Sequence, residues 1–159
     1  MENQKQCVSV RLSNSDIRKI KRIAERLNVS DSDVIRFGLK GMLTKLRPLS
    51  DGNSAGSQLL PVFLEHGNEV TRYFDFDAER LEHIINRDAG SDQSIERVDI
   101  ELLAMHSVFP NYLKMQLEKL LGETLEEQEL MPNLRQYLYS KYGAQRGQAR
   151  EFSPDTEIA

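Results

Sequence analysis

Three polar side chains, Cys7, Ser9 and Arg11, alternate with Val8, Val10 and Leu12 near the start of the chain. Period-two alternation puts the polar three on one face of an extended strand and the aliphatic three on the other. A guanidinium on such a face offers a planar fork of donors suited to two neighbouring acceptors. A hydroxyl both gives and takes hydrogen bonds, and a thiol does either only weakly. This is the chemistry of recognition. Bond-making chemistry has little support elsewhere. His66, His83 and His106 are the only histidines and lie far apart, and Cys7 is the single cysteine. None of the H-x-H, C-x-x-C or H-E-x-x-H spacings occurs, so no metal site is expected. G-x-S-x-G, phosphate-loop and G-x-G-x-x-G patterns are absent too. The expectation is a protein that is not an enzyme and uses no cofactor.

The alternating segment must be held by something. A lone strand has unpaired backbone groups on both edges, and no second alternating run lies nearby. Two amphipathic helices follow. Ser13 with Asp16, and Ser30 with Asp33, are S-x-x-D patterns that mark helix starts. Ile17, Ile20, Ala24 and Leu27 form one stripe, with Arg18, Lys19, Lys21, Arg22 and Arg26 around it. Asn28 suits the left-handed conformation that stops a helix. Val34, Ile35, Gly38, Leu39, Met42, Leu43 and Leu46 give the second helix a wide apolar face, ended by Pro48. Residues 6–47 are too few to bury a core alone. The simplest other half is a second copy, which gives an intertwined dimer with a two-stranded ribbon.

Charge divides along the same line. Residues 1–49 hold 11 Lys/Arg against 5 Asp/Glu, and the remainder 10 against 20. A basic module for a polyanion joined to an acidic module with other duties fits that split.

Residues 6–47 resemble the ribbon-helix-helix family of DNA-binding proteins, the Arc, MetJ and CopG type. The resemblance rests on the strand Val8-Ser9-Val10-Arg11-Leu12-Ser13, the stripe through Ala24 and Leu27, and the turn Val29-Ser30-Asp31-Ser32-Asp33-Val34-Ile35-Arg36. It implies that Val8, Val10 and Leu12 face the four-helix core of a dimer. Cys7, Ser9 and Arg11 then contact bases in a major groove about 12 Å wide, with Arg11 suited to guanine O6 and N7. It also implies phosphate contacts by Ser30, Asp31 and Ser32 at the second helix's N-terminus; Lys5, a basic side chain before the segment, is expected to add a non-specific phosphate contact. Cys7 and Asp31 depart from the family pattern: a thiol reads bases poorly, and a carboxylate repels a phosphate.

Beyond residue 47, a Gly/Ser/Asn-rich linker is expected at 48–57, a mostly helical oligomerisation or regulatory domain at 58–143, and a disordered tail at 144–159. Glu69–Phe76 has the weak alternation of a short strand, and Val98, Leu102 and Met105 line one helical stripe. The fold class is therefore mainly α, an N-terminal ribbon-helix-helix plus a helical C-terminal domain. No apolar run is long enough to span a membrane. With one cysteine and no apolar N-terminal signal, a cytoplasmic protein is expected. The implied function is a repressor that binds double-stranded DNA as a homodimer, or as a tetramer on DNA. The alternatives are an antitoxin-type protein whose C-terminal region binds a partner protein, and a plasmid partition or relaxosome accessory protein.

Overall fold

The computed structural model describes residues 5–150, without the side chains of Ser107 and residues 144–150. The chain divides after Lys45 into two units. The molecule is mainly helical, and among the described residues there is no strand.

The N-terminal unit is an irregular segment followed by α1 (Asn14–Leu27) and α2 (Asp31–Lys45). Both helices start as their residues dictate. The Asp16 amide donates to Ser13 Oγ at 3.1 Å. The Asp33 amide donates to Ser30 Oγ at 3.1 Å, while the Ser30 amide donates to the Asp33 carboxylate at 3.3 Å, a reciprocal cap. Asn28 ends α1 in the left-handed region (φ 53°, ψ 47°). Its amide donates to Glu25 O and that of Val29 to Ala24 O, which satisfies two of the last carbonyls. Residues 5–12 have no regular secondary structure and make no ladder within the chain, because nothing in it alternates to match them.

The C-terminal unit packs its helices around one apolar core. A short helix α3 (Arg47–Ser50) and a 3-10 turn (Gly56–Leu59) lead into α4 (Leu60–Glu65), α5 (Gly67–Phe74) and α6 (Ala78–Asn86). Then come α7 (Arg97–Val108), α8 (Pro110–Leu121), a 3-10 turn (Glu127–Glu129) and α9 (Leu130–Arg150). Leu81, Ile85, Ile100, Leu113, Leu117, Leu134 and Leu138 have no exposed surface. Asn86 staples the loop between α6 and α7, its amide side chain exchanging two hydrogen bonds with the Ile95 backbone (2.8 and 2.9 Å).

Four expectations need correction. Residues 69–76 are not a strand: Gly67, Val70 and Thr71 are buried at helical spacing in α5. The 48–57 segment is not a free linker throughout. Ala55, Gly56 and Ser57 are buried, and Gly56 (φ +57°) lies so close to the Gln93 carbonyl that a Cβ would sit 2.1 Å from its oxygen. In α7 the stripe rotates: Val98 is exposed, while Ile100, Leu102 and Leu103 are buried. Residues 144–150, expected as the start of a disordered tail, continue α9, because Ala, Gln and Arg favour helix and Gly143 does not turn left-handed. The rest of that expected tail, 151–159, lies outside the described residues.

Candidate nucleic-acid interface

Cys7, Ser9 and Arg11 all lie exposed in the segment before α1, with Lys5 at its start. Their aliphatic neighbours are exposed too, Val8 at 80% and Val10 at 74%. Within one chain, therefore, neither face of the segment is covered. An aliphatic face left in water costs what its burial would return, about 1.5–3 kcal/mol per side chain.

The same holds through the unit. Among its described residues only Ala24 is buried. Ile17, Ile23, Leu27, Ile35, Leu39, Met42 and Leu43 remain exposed, and Phe37 is 79% exposed. Gly38 and Gly41 have open space where a Cβ would stand. Sequence reasoning missed Phe37, which precedes the first of these glycines and extends the uncovered surface; its own size was the available signal.

Ser30, Asp31 and Ser32 are exposed at the start of α2. The Ser30 amide and hydroxyl both donate to the Asp33 carboxylate, the hydroxyl at 2.6 Å. These hydrogen bonds, with Arg36 at 3.2 Å adding a smaller contribution, hold Asp33 below the ordinary carboxylate range. A charged carboxylate thus already caps the helix. The first-turn amides of Asp31 and Ser32 are the donors that helix geometry leaves for another acceptor. Asp33 joins Asp31 in opposing an anion there.

Arg18, Lys19, Lys21, Arg22 and Arg26 are exposed on α1. Arg18 donates to the Asn14 carbonyl at 3.3 Å. Among the described residues no group of three His, Cys, Asp or Glu side chains is placed to hold a metal ion. None of the described helices is long and apolar enough to cross a membrane. No family model, curated protein or solved structure matches this chain.

Proposed function

We propose that the chain is a sequence-specific DNA-binding transcriptional regulator, a repressor that acts as a homodimer. Two copies pair their Val8–Leu12 segments antiparallel. Val8, Val10 and Leu12 then turn inward with the apolar sides of α1 and α2, and Cys7, Ser9 and Arg11 turn outward into a major groove. The observation that carries this reading is the N-terminal unit's lack of a core: one buried side chain among its described residues, beside a dozen exposed aliphatic and aromatic ones. Two helices cannot hold themselves together on that footing, because ordering each residue costs about 1–2 kcal/mol in backbone entropy alone. A second copy is the partner available wherever the chain itself is present.

The charge division supports a polyanionic ligand for this unit rather than for the acidic remainder. Arg11 supplies base discrimination. Lys5 and the amides of Asp31 and Ser32 fix the register on the phosphates. The C-terminal unit's own core favours this reading over the antitoxin alternative, which calls for a segment that folds on its partner.

The test is selection of binding duplexes from a random pool, followed by anisotropy titration of the winner. Arg11→Ala is expected to weaken that duplex by about 1–3 kcal/mol and to relax preference at one base position. Lys5→Ala should weaken all duplexes alike and flatten the salt dependence by about one ion. If the pool yields no preferred sequence, or Arg11→Ala keeps full preference, the reading fails.

A further inference from the structure

Along α1 stand cations that neither the helix caps nor the Cys7–Arg11 segment uses. Arg18, Lys19, Lys21, Arg22 and Arg26 are all exposed. Among the described residues none of the five forms an ion pair. Elsewhere the chain pairs such groups: Arg36 with Asp33, Arg97 with Glu82 and Glu101, Arg135 with Glu65, Lys141 with Glu96 and Asp99. Of the two carboxylates on α1, Asp16 accepts from the Ser13 hydroxyl at 2.6 Å and is committed to the cap. Only Glu25 stands among the cations.

Three of the five converge. Lys19, Arg22 and Arg26 line one groove of about 590 Å³, together with Ile23 and Glu25. At about 100° per residue the three lie within about 60° of one another, and roughly 150° round the helix from the stripe of Ile17, Ile20, Ala24 and Leu27. A core built on that stripe leaves the groove in water. Like charges three or four residues apart destabilise a helix, and Lys19/Arg22 and Arg22/Arg26 are such pairs. The helix dipole offsets this for Arg26, which lies in the last turn, but not for the other two. An anion laid in the groove removes the repulsion.

We infer, on the reading of this unit as a DNA binder, that Lys19, Arg22 and Arg26 form a second phosphate-binding surface, which holds the backbone of duplex DNA without reading its sequence. Spacing selects this ligand. From Lys19 to Arg26 is about 10 Å along the helix axis, at a rise of about 1.5 Å per residue. One strand of a duplex presents a phosphate every 3.4 Å or so of its axis, so a strand running along α1 offers about three phosphates to three cations. The guanidinium forks of Arg22 and Arg26 suit bidentate phosphate contacts, and Lys19 acts as a point charge. Glu25 on the rim opposes the anion, so the hold is weaker than three cations alone would give. Such a surface keeps the protein on DNA of any sequence while Arg11 tests the bases.

The experiment titrates the full chain into a fluorescent duplex of scrambled sequence across a salt series. Each phosphate contact contributes about 0.9 to the slope of log affinity against log salt, so Lys19→Gln/Arg22→Gln/Arg26→Gln is expected to lower the slope by about 2.7 for each copy on the duplex. Arg18→Gln/Lys21→Gln removes charge from α1 outside the groove and should lower it by less than about 1. Circular dichroism checks that both variants keep their helix. In the wild type, the same duplex should shield Lys19 from an amine-acylating reagent and leave Lys21 open. The groove loses its phosphate role if the triple variant leaves the slope unmoved, if the double variant lowers it equally, or if Lys19 reacts as fast with duplex as without. It also loses that role if vesicles of anionic phospholipid bind the wild type as tightly as the duplex does, and the triple variant no better than they bind a neutral surface. A random pool that yields no preferred sequence sinks the base-reading role of Arg11 and leaves the groove to be judged on the scrambled duplex. An unmoved slope beside a clear Arg11→Ala effect sinks the groove alone.

Discussion

Asp99 has no exposed surface, yet it carries the polar contacts that tie α7 to α9. Tyr137 donates to one oxygen of its carboxylate at 3.1 Å, while Lys141, at 2.8 Å, and Tyr142 donate to the other. The Glu96 amide in turn donates to the Tyr142 hydroxyl at 3.0 Å. A buried charge is tolerated only with such partners, and breaking the set leaves the remainder uncompensated. Asp99→Ala should destabilise the C-terminal unit by about 3–5 kcal/mol, read as a fall in the urea midpoint. A loss below about 1 kcal/mol would show that the network adds nothing beyond a surface pair. Nothing in the spacing of Glu96, Asp99 and Glu101 marks the middle carboxylate as the buried one. Its donors lie some forty residues later, so local pattern could not reveal them. His106 is a second case of environment over type. Burial, and then the positive Arg72, hold its imidazole below the usual 6.5. The unfolded chain therefore takes up the proton first as pH falls. The stability this histidine contributes is complete above about pH 6.5 and drains away below it. His106→Gln should shrink the loss of thermal midpoint between about pH 7.5 and about pH 5.5.

At the scale of elements, what is legible in the sequence is what short range decides. Ser13/Asp16 and Ser30/Asp33 each start a helix where their spacing says, and Asn28 stops one in the left-handed region. The expected strand is different in kind. Val8 to Leu12 has the right alternation, but a ladder is a relation between two segments and one chain supplies only one of them. The α5 segment failed for the opposite reason: Val70, Tyr73 and Phe74 suit a helix as readily as weak alternation, and the neighbouring helices decided between them. The caps also carry a consequence. Ser30→Ala removes the acceptor for the Asp33 amide and one donor to its carboxylate, so α2 should lose about 1 kcal/mol. For the proposed dimer, that loss should appear as reduced association at low concentration, measured by sedimentation. An unchanged dimer constant would mean that α2 is held by contacts outside its cap.

Across the whole molecule the two units stand on different footings. Leu46 onward encloses a core of fully buried leucines and isoleucines, and the N-terminal unit encloses only Ala24 among its described residues. A unit that completes its core within one chain unfolds at a temperature independent of protein concentration. One that borrows its core from a second copy is stabilised by mass action, and its midpoint climbs as the chain is concentrated. Thermal melts of the full chain should therefore show two transitions. The one that follows the N-terminal helices should rise across a hundredfold range of concentration, by the equivalent of about 2.7 kcal/mol in the free energy of association. The other should stay fixed. Val10→Asp puts a charge on the inward face of the proposed ribbon. It should abolish the concentration dependence of the first transition and leave the second in place. A first transition indifferent to concentration in the wild type would mean that the N-terminal helices find their cover within their own chain, and the case for paired strands would go with it.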